Sequence, residues 1–77
     1  MVKIELMDLT GDIARYKYYP ETSKEYGIIV LDRKTGERKQ EKSVEEFNSS
    51  YAAHAIWRIE EYQETGKFLE KDIIAWY

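Results

Sequence analysis

The sequence contains no cysteine, a single histidine and a single proline in 77 residues. Without cysteine the chain has no disulfide bond, no thiolate metal ligand and no cysteine nucleophile. One histidine would leave a metal site to be completed by carboxylates, and the four glycines lie too far apart for a phosphate-binding or dinucleotide-binding motif. We therefore expect neither a metal ion nor a cofactor.

Long apolar runs are also absent. Charged residues begin at Lys3, so the start of the chain lacks a secretory signal pattern, and no stretch approaches the ~20 apolar residues of a membrane span. We expect a cytoplasmic protein with no membrane partner. The length predicts one small domain, residues 1–77, with a thin core, because a chain this short buries only about 60% of its unfolded surface.

Aromatic residues, in contrast, are abundant, at 14% of the chain with seven tyrosines and two tryptophans. Large rings fill a small core efficiently, because each buries about 150–250 Å². Tyrosine and tryptophan are also enriched where two protein surfaces meet. The surplus of rings beyond the needs of the core therefore favours a protein–protein interface, either with a partner or with a second copy of the chain as a homodimer.

The first half of the chain has the pattern of antiparallel strands. Residues 2–6 place apolar side chains at every second position, which is typical of a half-buried strand, and Pro20 ends a second strand. The apolar run 26–31 is expected to be the central strand. A turn with Gly36 at its left-handed position then leads to the polar run 37–42, an edge strand whose lysines oppose aggregation.

The second half predicts one long helix. Ser43 and Glu46 form a capping box, S-V-E-E, and apolar residues along 44–62 fall within one arc of about 180° on a helical wheel. Gly66 supplies a C-terminal stop. The tail, residues 67–77, suits either a helix or a strand, and we favour a short helix.

These elements predict an α+β fold. An antiparallel meander of three to four strands, in the order 1-2-3-4, packs on the long helix, and the short C-terminal segment folds back on it. The expected core consists of Ile4, Leu6, Tyr16, Tyr18, Ile29, Leu31, Phe47, Tyr51, Ala55 and Ile59.

Trp57 does not fit the apolar arc of this helix. It lies about 200° from the centre of the arc, so the sheet cannot cover it. Trp57 could be covered in two ways. The tail could fold across the outer side of the helix and bring Leu69, Ile73 or Trp76 to Trp57, or a second subunit could cover it. We favour the tail.

His54 is the one candidate for acid–base chemistry. It lies at the border of the apolar arc, and no carboxylate lies one helical turn away to orient it as a general base. We expect a half-buried structural histidine. Because no nucleophile with a base can be assembled either, the sequence disfavours an enzyme.

The charges are unevenly distributed. Residues 32–42 carry five basic and three acidic side chains, whereas residues 44–64 have a balance of −4. A sheet with Arg15, Lys17 and Tyr19 exposed beside the basic 33–42 hairpin could contact nucleic acid, as the sheets of some DNA-binding domains do.

The net charge of −3 opposes such a polyanionic partner, because contacts with phosphates supply most non-specific affinity. A non-enzymatic protein–protein interaction module is therefore the first hypothesis, and a small nucleic-acid-binding protein is the second. The candidate interaction residues are Tyr19, Arg33, Lys34, Arg38, Lys39, Trp57 and Trp76.

Overall fold

The computed structural model describes residues 1–76, which form a five-stranded antiparallel sheet with one helix packed on one of its faces. The elements are β1 (Val2–Leu9), β2 (Ile13–Pro20), β3 (Gly27–Asp32), β4 (Arg38–Lys42), α1 (Ser50–Thr65) and β5 (Lys71–Ile74). The sheet order is β4-β3-β2-β1-β5. The predicted α+β meander on one helix is confirmed, with a fifth strand added beside β1.

Local side-chain bonds explain the hairpin between β3 and β4. The Asp32 carboxylate accepts hydrogen bonds from the amides of Lys34 (2.9 Å) and Thr35 (3.1 Å), and these bonds lower the pKa of Asp32. Gly36 adopts φ 80°, the left-handed conformation that the sequence predicts. The turn chemistry is therefore sufficient to reverse the chain here.

The alternation of side chains along the strands divides the sheet into two faces. The face toward α1 supplies the sheet side of the core, which consists of Val2, Ile4, Ala14, Tyr16, Tyr18, Ile29, Leu31 and Ile74. The helix adds Ala52, Ala55, Ile59 and Tyr62. Of the predicted core residues, Leu6, Phe47 and Tyr51 are only partly buried, and the other seven are buried.

The start of the helix differs from the prediction. α1 begins at Ser50 and not near Ser43, so the capping-box interpretation was wrong. Residues 44–47 instead form a turn, with the Phe47 amide donating to the Val44 carbonyl at 3.2 Å. Val44 is buried, and burying such a side chain is worth more than the ~1 kcal/mol of a helix cap. Tertiary packing therefore overrides the local signal.

The tail forms the strand β5 and not the short helix that we favoured. It pairs antiparallel with β1, with Val2 opposite Ile74 and Lys3 opposite Ile73. This pairing satisfies backbone groups that β1 would otherwise leave exposed at the sheet edge. Because the tail follows that edge, it does not cross the outer side of α1. The prediction that it covers Trp57 was wrong, and Trp57 is 54% exposed.

Gly27 on β3 packs against the ring of Tyr18. A Cβ atom at Gly27 would lie only 2.1–2.5 Å from ring atoms of Tyr18. That ring is buried, and its hydroxyl accepts a hydrogen bond from Gln40 at 2.7 Å, so it has little room to move. We expect Gly27→Ala to destabilise the fold by about 1–3 kcal/mol, measured by urea unfolding.

Gly11→Ala is the control for this substitution, since no atom lies within 4 Å of a Cβ there. It should change the stability by less than about 0.5 kcal/mol. Equal unfolding midpoints for the two variants would contradict close packing of the Tyr18 ring on Gly27.

Candidate interaction site

The sheet face opposite α1, here called the open face, is the candidate site. Side chains from all five strands lie on it because strand residues alternate between the two faces. Its principal members are Lys3, Glu5, Arg15, Lys17, Tyr19, Ile28, Val30, Lys39, Lys42, Lys71 and Ile73, joined by Tyr26 just before β3. Together with Asp8 and Glu41, they comprise six basic and three acidic side chains, a formal balance of +3 on a chain of net charge −3.

Two tyrosines and three lysines of the open face form a compact group, the tyrosine–lysine cluster. The ring centres of Tyr19 and Tyr26 are 5.6 Å apart. The Lys3 ammonium lies 5.0 Å from the Tyr19 ring centre, and those of Lys17 and Lys42 lie 4.6 and 4.2 Å from that of Tyr26. Among residues 1–76, no carboxylate forms an ion pair with these three ammonium groups. Their charges are therefore available to a partner.

Strand register extends the positive charge across the whole sheet. Glu5 lies opposite both Lys17 and Lys71, and Ile28 lies opposite both Lys17 and Lys42. The resulting row holds three lysines and one glutamate. Since neighbouring strands are about 4.8 Å apart, successive lysines of the row lie roughly 10 Å from one another.

Arg15 is also on the open face, but its charge is neutralised. Its guanidinium pairs with Asp8 at 2.8 Å and with Glu41 at 3.2 Å. These hydrogen bonds raise the pKa of Arg15. Both carboxylates lie at or beside an irregularity in the strand register. The network stabilises the middle of the sheet and leaves the lysines as the free cations.

The two arginines of the predicted basic hairpin, residues 33–42, bind the helix side of the molecule. The Arg33 guanidinium lies 4.9 Å from the Phe68 ring centre and donates to the Gln63 side chain on α1 at 3.2 Å. Arg38 pairs with Glu60 on α1 at 2.9 Å. The structure therefore does not place either arginine on the open face.

The other predicted residues of this region separate in a similar way. Lys34 pairs with Asp12 at 3.0 Å, at the turn end of the sheet. Lys39 lies on the open face opposite Val30. Tyr19 of β2 lies on the same face, opposite Lys3. The structure thus brings Lys39 and Tyr19 to the same face, and it separates Arg33, Lys34 and Arg38 from them.

Both predicted tryptophans contact His54 on α1. The Trp76 ring stacks on His54 at 3.9 Å between ring centres, and the ring centre of Trp57, also on α1, lies 5.0 Å from that of His54 in an edge-on arrangement. Trp76 also contacts Tyr51 at 5.4 Å. Among the described residues His54 makes no hydrogen bond to a carboxylate or hydroxyl. These contacts assign His54 a packing role.

The residues of the open face that the sequence did not indicate include Lys3, Tyr26 and Lys71. Period-2 alternation on the first strand contained a signal for Lys3, since it placed that residue opposite the apolar face. Tyr26 had been assigned to the central strand, and it lies just before β3. Lys71 had no usable signal, because its position depends on the pairing of β5 with β1.

A groove of about 490 Å³ borders the tyrosine–lysine cluster, between the β2–β3 loop and the chain that enters α1. Its walls carry both signs of charge and consist of Lys24, Glu25, Tyr26, Lys42, Ser43, Val44, Glu45 and Glu46. Within residues 1–76, no three histidine, aspartate or glutamate side chains are grouped to hold a metal ion.

No helix in the described part of the chain is both long and apolar enough to cross a membrane. Searches against protein-family models, curated proteins and solved structures found no match. The geometry and charge of the open face therefore carry the functional inference.

Proposed function

We propose that the protein is a non-enzymatic interaction module that binds a protein partner through the open face. The observation that carries this proposal is the tyrosine–lysine cluster, in which three ammonium groups lie over two tyrosine rings and form no ion pair with a carboxylate of residues 1–76. Exposed lysines normally extend into water. Here they lie against the tyrosine rings, and tyrosine is enriched in binding surfaces.

The edges of the sheet are less suitable for binding than its open face. On β5 the Ile73 amide already donates to the Asp72 carboxylate at 2.8 Å, which blocks one edge donor. β4 is exposed along its whole length, but it is mostly charged and contains an irregular register near Glu41. Charge and bulges of this kind oppose strand addition. A partner would therefore contact side chains of the face and not extend the sheet.

Self-association through the open face is disfavoured by charge. A face-to-face homodimer would bring five lysines of one copy against five of the other, and like charges in an interface cost free energy. A homodimer through the exposed ring of Trp57 is the alternative for a second copy of the chain. Size exclusion at micromolar concentration distinguishes these two homodimers. Trp57→Ala would convert a dimer that forms through Trp57 to a folded monomer.

The non-enzymatic part of the proposal is supported by the surroundings of His54. Its ring contacts those of Trp57 and Trp76, and no described carboxylate orients it for proton transfer. We also propose a cytoplasmic location, which rests on the sequence alone.

Charge reversal on the open face tests the proposal. The double variant Lys17→Glu with Lys42→Glu removes both ammonium groups from Tyr26. We expect it to weaken binding to a protein captured from native lysate at least about tenfold, or ~1.4 kcal/mol, as measured by calorimetry with the purified partner.

The matched control is Lys34→Glu with Lys67→Glu, which changes the net charge equally at exposed positions away from the open face. Circular dichroism checks that both variants are folded. Equal affinity of the two variants for the partner would contradict the assignment of the open face.

A further inference from the structure

The open face is a basic region on an otherwise acidic molecule. Outside the open-face residues, the chain carries six basic and twelve acidic side chains, a balance of −6. Electrostatic interactions between exposed charges extend only about 10 Å at 0.1 M salt. A partner with a few carboxylates aimed at this face is therefore attracted, whereas a long polyanion also meets repulsion from the rest of the surface.

The spacing of the lysines in the cross-strand row, which are Lys71, Lys17 and Lys42, suits an extended polypeptide. Lysines of the cross-strand row lie roughly 10 Å apart, and side chains on one side of an extended chain recur about every 6.7 Å. The flexible side chains of the partner's glutamates and of these lysines span the difference between the two spacings. Ile28 lies between Lys17 and Lys42, and Val30 lies between Arg15 and Lys39. Both side chains are half-exposed and offer apolar contacts, and Ile73 is 60% exposed at the other side of the face.

Single-stranded nucleic acid fits this surface less well. Proteins that bind it present aromatic rings on which bases stack. At Tyr19 and Tyr26 the rings are in contact with one another and carry the ammonium groups of Lys3, Lys17 and Lys42. A base could stack there only after displacing an ammonium group, which would also remove a charge positioned for phosphate.

We infer that the occupant of the open face is an acidic, extended segment of a protein partner, with carboxylates two or three residues apart and apolar residues between them. This inference rests on the proposed function. Carboxylates of the segment pair with Lys17 and Lys42 of the row and with Lys3 of the tyrosine–lysine cluster, and its apolar side chains contact Ile28 and Val30.

The test uses a synthetic peptide with three Glu-Gly-Glu-Leu repeats as the acidic probe, and the same peptide with glutamine for glutamate as the neutral control. Amide NMR shifts of the full chain map the site at about 50 mM salt. We expect shifts in β1, β2 and β3 with the acidic peptide and at least tenfold weaker binding of the neutral one. Lys17→Glu with Lys42→Glu should weaken binding at least tenfold, and Lys34→Glu with Lys67→Glu less than twofold.

An oligothymidine of twelve nucleotides is the competing probe. Tighter binding of this probe than of the acidic peptide at the open face would overturn the inference in favour of nucleic acid. Equal binding of the acidic and neutral peptides would also overturn it. If no peptide binds but capture of a protein partner still depends on Lys17 and Lys42, the acidic segment is wrong and the interaction module stands. If no peptide binds and capture of a protein partner does not depend on Lys17 and Lys42 either, the acidic segment and the interaction module are both wrong.

Discussion

A chain that ends at residue 67 is expected to be unfolded at 25 °C. The deletion removes β5, so the buried side chain of Ile74 and the partly buried rings of Phe68 and Trp76 are lost from the core. Each fully buried side chain of this kind contributes about 1.5–3 kcal/mol. The sum is comparable with the ~5–15 kcal/mol that separates folded from unfolded small proteins.

Lost hydrogen bonds add to this effect. The Tyr16 hydroxyl donates to the Leu69 carbonyl at 2.6 Å, and the Leu6 amide donates to the Glu70 carbonyl at 2.8 Å. After the deletion, the hydroxyl of Tyr16 would lose its partner at the edge of the core, which costs about 1–3 kcal/mol where the group stays buried. Circular dichroism of the truncated chain would show loss of the folded spectrum.

Two point substitutions on β5 separate burial from strand pairing. Ile74→Ala should cost about 2–4 kcal/mol in urea unfolding, because Ile74 faces the core. Ile73→Ala, on the exposed side of the same strand, should change the stability by less than about 0.5 kcal/mol. A truncated chain that remains folded with an unchanged urea midpoint would contradict the role given to β5.

The second large effect is expected at Asp72, which joins β5 to α1. Its carboxylate accepts hydrogen bonds from Arg58 at 2.5 Å and from the Tyr62 hydroxyl. Burial of Asp72 would raise its pKa, but these two hydrogen bonds, a third from the Ile73 amide and the charge of Arg58 together outweigh burial and hold the pKa below the ordinary value of 3.8. Asp72→Asn should destabilise the fold by about 2–3 kcal/mol at pH 7, because the asparagine amide leaves the guanidinium only the exposed and more distant carboxylate of Glu61, at 3.6 Å.

The pH dependence of stability follows from the same group. Because the pKa of Asp72 is lower in the folded state, its contribution is complete above about pH 4 and is lost as the pH falls through the folded value. Burial raises the pKa of Tyr16 to about 12, and burial with Asp72 raises the pKa of Tyr62, so stability should also fall as the pH rises above about 10.

Urea titrations from about pH 2 to pH 11 measure this profile. Asp72→Asn should reduce the acid-dependent loss of stability, and Asp12→Asn is the control, since Asp12 forms an exposed ion pair with Lys34. Identical acid profiles for the two variants would show that Asp72 does not supply the linkage.

Much of the sheet could be predicted from the sequence because the signals are local. Alternation in β1 and β2 identifies which side chains enter the core, and Ile4 and Tyr16 are buried as predicted. Gly36 marks a turn in which the amides of Lys34 and Thr35 donate to the nearby Asp32 carboxylate. Strand pairs joined by such short turns are antiparallel neighbours, so the order β1-β2-β3-β4 follows.

The start of α1 and the tail were predicted wrongly because each depends on residues that are distant in the chain. Ser43 and Glu46 carry a helix-start pattern, yet burial of Val44 directs that segment elsewhere and α1 begins at Ser50. The tail has no decisive period of its own, and it becomes β5 because β1 offers unpaired backbone groups. Neither the burial of Val44 nor the pairing of the tail with β1 can be predicted from a local sequence pattern.

The sequence by itself determined the class of fold, the two faces of the central strands and the position of Trp57 away from the apolar arc. Only the tertiary structure decided the site. Lys3, Lys17 and Lys42 are far apart in the chain, and strand register brings their ammonium groups over Tyr19 and Tyr26. Arginines that are close together in the chain bind the helix side instead, because opposite strand faces separate sequence neighbours, while pairing across strands joins residues that are distant in the chain.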